Sequence, residues 1–166
     1  MEQSFSSHAI APAAVLRGEG AWSEALPRIR ALCSRPLFLG RSTSTSRLRH
    51  HLKADLSAAG LAPASAELRF DCCERALTRL RLEAQPCDAV IAAGGGKVLD
   101  AGKLLAHRLS LPCITVPLSA ATCAGWTALS NLYSPEGAFE SDVSLNRCPD
   151  LLVFDHTLVR QAPPRT

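Results

Sequence analysis

The chain has 166 residues, 47% of them apolar, which is enough to fill the core of one domain and excludes a disordered chain. The formal net charge is +3 and the basic residues are scattered among few aromatics, so no nucleic-acid partner is implied. No 18-residue apolar span and no signal peptide is seen, which predicts a cytoplasmic protein with no membrane partner.

Residues 1–13 read as an N-terminal arm. Ala14–Arg17 is a short candidate strand closed by the Gly18-Glu19-Gly20 turn. Trp22, Ala25 or Leu26, Ile29, and Leu32 or Cys33 then recur at helical spacing, although Pro27 weakens the early turns. Pro36–Leu39 reads as a buried strand ending at Gly40, and 41–46 is a polar loop rich in capping side chains. Leu48, Leu52, Leu56 and Ala59 predict the helix behind it, which Gly60 and Pro63 end. The excess of Arg47, Arg49, His50, His51 and Lys53 there reads as a solvated helix face.

Ala66–Phe70 is the next candidate strand, Glu74–Leu82 a helix, and Cys87–Ala93 a strand running into Gly94-Gly95-Gly96. Lys97–Leu109 is the strongest helical pattern, with Val98, Gly102, Leu105 and Leu109 on one face. Pro112–Val116 is a short apolar strand, 117–149 shows no clear periodicity, and Leu151–Phe154 is a last strand before Asp155. His107 reads as a polar helix position and His156 as the start of a turn. The tail Ala162–Thr166 has no helical pattern. Strands alternating with helices predict an α/β fold: a mostly parallel sheet with helices on both faces. Seven cysteines, with no C-x-x-C pair among them, suit a reducing compartment better than a disulfide framework or a zinc knuckle.

The sharpest local feature is Ala93-Gly94-Gly95-Gly96-Lys97-Val98-Leu99-Asp100, between a strand and an amphipathic helix. Glycines let backbone N–H groups approach a ligand, and the helix N-terminus points at the same place, which suits a pyrophosphate. Lys97 would add positive charge; Asp100 would cap the first turn or accept from a ligand hydroxyl. The spacing is neither G-x-G-x-x-G nor a Walker loop, and a tight structural turn is the competing reading.

Gly94-Gly95-Gly96-Lys97-Val98-Leu99-Asp100 resembles the signature of the iron-containing alcohol dehydrogenase or glycerol dehydrogenase superfamily. The resemblance continues through Pro112–Tyr133, the Leu132–Gly137 segment, Cys148–Asp155 and Ala162-Pro163-x-Arg165, so that 14–166 fits the family's N-terminal domain. It implies a Rossmann-like NAD(P)-binding domain over 14–160, within a dehydroquinate synthase-like two-domain plan. Residues 161–166 would then start the linker to a helical domain carrying iron or zinc. It implies a small-molecule substrate and homo-oligomers, and this chain is expected to stop before the metal ligands; His107 and His156 match no ligand position.

By the same resemblance Gly94, Gly95, Gly96 and Lys97 hold the pyrophosphate and Asp100 supports the loop. Leu118, Ser119 and Thr122 line the phosphate and nicotinamide end, and Thr127, Leu129 and Tyr133 match cofactor-pocket positions. No catalytic general base is identified. Glycerol dehydrogenases carry an aspartate where this chain has Cys123, which points away from glycerol and towards a branch acting on 2-oxo and 2-hydroxy acids. A small packed residue is the other reading of Cys123. NAD-using relatives often carry Gly-Asp after the first strong strand. Here Gly40-Arg41-Ser42 removes that carboxylate and sets Arg41 and Ser42 where a 2′-phosphate would bind, favouring NADP over NAD. A solvent-facing Arg41 is the bland alternative. The competing function is a catalytically inactive nucleotide-binding or interaction protein.

Overall fold

Alternation of inward-facing residues builds the sheet. The computed structural model describes residues 11–120 and 122–162. Six strands, β1 (Val15–Gly18), β2 (Pro36–Gly40), β3 (Ala64–Glu67), β4 (Ala89–Gly94), β5 (Cys113–Pro117) and β8 (Leu151–Asp155), form one sheet in the order β1-β8-β5-β4-β2-β3, every pair parallel. Such a sheet must be covered on both faces. In β4, Ala89, Ile91 and Ala93 enter one hydrophobic cluster and Val90 and Ala92 the other; in β2, Phe38 and the pair Leu37 and Leu39 divide likewise.

Helices α1 (Ala21–Leu32) and α2 (Ser46–Ala58) cover the Phe38–Ile91 face, with α5 (His156–Gln161) at its edge. Helices α3 (Glu74–Glu83) and α4 (Gly96–Leu109) cover the opposite face. The face of α4 is so close that a Cβ added at Gly102 would stand 2.4 Å from the Ala92 Cβ. Glycine there serves close helix–sheet packing. Pro27 lies within α1, between its first residue Ala21 and last residue Leu32, and the helix continues around it.

Three expectations are corrected. The third strand is Ala64–Glu67, not 66–70. Its partner β2 ends at Gly40, paired with Glu67, so beyond the Leu68 amide, which still reaches the Gly40 carbonyl, the chain has nothing to pair with. The aperiodic stretch contains an antiparallel hairpin, β6 (Leu129–Tyr133) and β7 (Phe139–Ser144). Its apolar alternation is hidden because an inward position of β6 is Ser130, whose hydroxyl donates to the Asp100 carbonyl at 3.1 Å, and because β7 is largely exposed. His156 starts α5 and not merely a turn: the Asp155 carboxylate accepts from the Thr157 and Leu158 amides at 2.8 and 3.3 Å and caps it. Residues 1–10 of the expected arm and 163–166 of the expected linker lie outside the described residues.

Candidate functional site

Strand β2 is followed by α2, which folds onto one face of the sheet. Its neighbour β4 is followed by α4, which folds onto the other. Where adjacent parallel strands send their helices to opposite faces, a crevice opens at their C-terminal ends. Here it is a cleft of about 350 Å³ lined by Arg41, Ser42, Thr45, Gly94, Gly95, Gly96, Lys97 and Val98. The loop after β2 and the glycine loop, 50 residues apart in sequence, thus share one wall-to-wall space.

The α4 wall is backbone. Gly95 is the N-cap of α4 in extended conformation and offers no side chain to cap the helix; its carbonyl accepts from the Val98 and Leu99 amides at 3.0 and 3.1 Å. A Cβ on Gly94 would meet Val98 at 3.0 Å, and one on Gly96 would meet the Thr122 hydroxyl at 3.3 Å. Larger residues would crowd the loop from which the first N–H groups of α4 emerge.

The β2 wall is held by an arginine that sequence reasoning placed on a solvated face. Arg49 is buried, and its guanidinium donates to the Arg41 and Ser42 carbonyls at 2.5 and 2.9 Å and to the Thr45 hydroxyl. It turns inward because three loop acceptors need a donor. Burial lowers its pKa, while Glu67 at 3.6 Å works the other way. Gly40 makes room for it: a Cβ there would stand 2.2 Å from Arg49 Cδ. The clamp fixes Ser42 at φ 77°, a left-handed value that a non-glycine residue adopts only under constraint. The Ser42 hydroxyl accepts from the Ser44 amide at 3.2 Å.

A third group closes the rim. Asp71, just past β3, places one carboxylate oxygen 2.5 Å from the Arg41 guanidinium and the other 2.5 Å from Lys97 Nζ. Burial raises this carboxyl, but hydrogen bonds and attraction from Lys97 and Arg41 outweigh it, and Asp71 is held below the usual carboxylate range. Lys97 also stands 5.2 Å from the Tyr133 ring centroid. Sequence reasoning missed Asp71, Thr45 and Arg49. A carboxylate directly after the strand expected over 66–70 was the available signal for the first; nothing in local spacing marked the other two.

The remaining candidates divide. Thr122 lies against Gly96, and its hydroxyl accepts from the Ala124 amide at 3.0 Å. Leu118 is buried in the core, and its amide donates to the Gly94 carbonyl at 3.0 Å, tying β5 to the glycine loop; Ser119 follows it, half-buried. Cys123 is exposed. Asp100 does not cap α4 and does not line the cleft. Its carboxylate faces Lys103 at 3.3 Å on the hairpin side. Thr127 and Leu129 are there too: Lys103 donates to the Thr127 carbonyl and hydroxyl, both at 3.2 Å, and to the Leu129 carbonyl. The structure makes these residues a bracket between α4 and the hairpin. Among the described residues, no group of three or more His, Cys, Asp or Glu side chains is placed to hold a metal ion. No helix among them is long and apolar enough to cross a membrane.

An uncharacterized oxidoreductase of Synechocystis sp. is 45% identical to the chain over 166 residues, covering 98% of the chain and 42% of that relative. Hydroxycarboxylate dehydrogenase A of Escherichia coli is 46% identical over 70 residues, 42% of the chain and 19% of that protein. The crystal structure of glycerol dehydrogenase from Schizosaccharomyces pombe superposes with a TM-score of 0.83 at 22% identity, over 98% of the chain and 42% of that enzyme, which shows the shared fold. The chain therefore spans less than half the length of these relatives. The model of the iron-containing alcohol dehydrogenase family matches residues 12–156, and with a Rossmann-like sheet and a glycine loop at its switch point, the chain belongs to that family.

Proposed function

We propose that this chain is the NAD(P)-binding part of a metal-dependent oxidoreductase acting on the CH–OH group of an alcohol or 2-hydroxy acid, built on a dehydroquinate synthase-like two-domain plan. The observation that carries the reading is the cleft itself: an α4 N-terminus that begins on glycine, with no cap side chain, and two crowded glycines face a loop presenting Arg41 and Ser42. The residues fit a dinucleotide. The glycine loop and the first N–H groups of α4 would hold the pyrophosphate, with Lys97 beside it. Arg41 and Ser42 would face the adenine ribose, and Thr122, Ser119 and Tyr133 would border the nicotinamide side. When bound, the nicotinamide would exchange a hydride with the substrate carbon.

The described residues do not fit a metal. No donor set is assembled among them. A second, helical domain supplying iron or zinc completes the proposal. Cys123, exposed, puts a thiol where an aspartate would repel an anion, which suits a carboxylate substrate better. The segment identity to a hydroxycarboxylate dehydrogenase supports the same branch.

Calorimetric titration of the chain with NADH and, separately, NADPH tests the reading. Micromolar binding of either, lost on substituting Gly96→Val, is expected. A folded chain that binds neither nucleotide would sink it and favour a protein that has kept the fold without the cofactor.

A further inference from the structure

The carboxylate missing after β2 reappears from another strand. Asp71 follows β3, one strand further out, yet it meets the guanidinium of Arg41, the residue that stands where the Gly-Asp pattern would put an acid. Its other oxygen meets Lys97 at the start of α4. One carboxylate thus spans both walls of the cleft and answers both of the cations that line it.

Its place is built. The Asp71 side chain is only 12% exposed. The Tyr133 amide donates to the Cys72 carbonyl at 2.8 Å, pinning the adjacent backbone to β6. The hairpin turn closes over it: a Cβ on Gly137, which sits at φ +91°, would lie 3.2 Å from Asp71 Oδ2. The hairpin therefore leaves the carboxylate little freedom to swing away from the rim.

We propose that Asp71 is a specificity-determining residue of the nucleotide cleft, which sets the discrimination between NAD and NADP by neutralising Arg41 and Lys97 and opposing a 2′-phosphate. The inference rests on the nucleotide-binding reading above. A pyrophosphate is seated chiefly by backbone N–H groups and loses little to Asp71. A 2′-phosphate adds nearly two negative charges, and Arg41 is the cation positioned for it. To engage Arg41 that phosphate must displace Asp71 or lie beside it, so NADPH bears the larger cost.

Asp71→Asn keeps the shape and one acceptor oxygen but removes the charge. Titrated with NADH and NADPH at fixed ionic strength, it is expected to shift the affinity ratio about tenfold towards NADPH, with NADH changed by less than about threefold. In an Arg41→Gln background the same substitution should lose most of that shift, which a general loosening of the fold would not do. If Asp71→Asn does not fold by circular dichroism, Asp71→Ser removes the charge in a smaller volume and takes its place. An unchanged ratio in a variant that still binds NADH overturns the role of Asp71 and leaves the nucleotide-binding reading intact. Failure of both the wild-type chain and the variants to bind either nucleotide overturns both.

Discussion

The Lys103 ammonium is almost wholly enclosed, its side chain 1% exposed, beside an Asp100 carboxylate that is nearly as deep. Burial lowers the Lys103 pKa and raises that of Asp100, and each charge partly offsets the other's shift. The ammonium has acceptors in Asp100, Thr127 and the Leu129 carbonyl, so it is fully used. Lys103→Met would leave a buried carboxylate and two carbonyls without their donor, and should cost about 3–5 kcal/mol in urea unfolding. Lys103→Met with Asp100→Leu should recover much of that, because no unpaired charge remains. Gly102→Ala tests the neighbouring contact. With the Ala92 Cβ 2.4 Å from the new methyl, helix and strand must separate, and a loss of about 1–3 kcal/mol is expected by the same measurement. Ala92→Gly in the same chain should restore part of it.

At the scale of elements, the loop after β2 depends on α2. Arg49 reaches back to carbonyls seven and eight residues earlier and holds Ser42 at a positive φ. Arg49→Met removes those bonds while keeping much of the length. Amide hydrogen exchange over 41–45 should then quicken, while exchange in β4 and the body of α4 stays slow. The hairpin has the corresponding dependence on α4, through Lys103 and through the Ser130 hydroxyl on the Asp100 carbonyl. The β2 wall of the cleft and the hairpin are therefore each held by a buried polar side chain on a helix and not by the loops alone.

At the scale of the whole molecule, three buried thiols make stability depend on alkaline pH. Burial is the main cause that pushes Cys33, Cys72 and Cys113 from 9.0 up to about 12. Below pH 9 all three are protonated whether the chain is folded or not. Between about pH 9 and 12 the unfolded chain ionises them and the folded chain does not, so stability is present below 9 and falls as pH rises through that window, by roughly 1.4 kcal/mol per thiol per pH unit. Thermal unfolding midpoints across that range should fall, and less steeply in Cys72→Ala or Cys113→Ala chains. Catalysis also belongs to this scale. With no metal-holding cluster among the described residues, the chain by itself, supplied with iron or zinc and NAD(P), should show no alcohol or hydroxy-acid oxidation above background. Steady turnover by the chain alone would contradict the two-domain proposal.

The alternation of strands with amphipathic helices, the parallel sheet and the glycine loop are legible in the chain because each is a local pattern. Apolar runs such as Val90-Ile91 mark strands buried on both faces, and Val98, Leu105 and Leu109 recur with the helical period. The hairpin was not legible, because Ser130 takes an inward position that hydrophobic alternation would give to an apolar residue. The inward turn of Arg49 and the partners of Asp71 were not legible for a different reason. A charged residue looks alike whether it faces water or a partner, and these partners lie on other elements. Local hydrophobic order dictates which strands and helices form. The order β5-β4-β2-β3, with helices leaving adjacent strands to opposite faces, brings Arg41, Asp71 and Lys97 together, because contacts across a parallel sheet join residues that no sequence spacing relates.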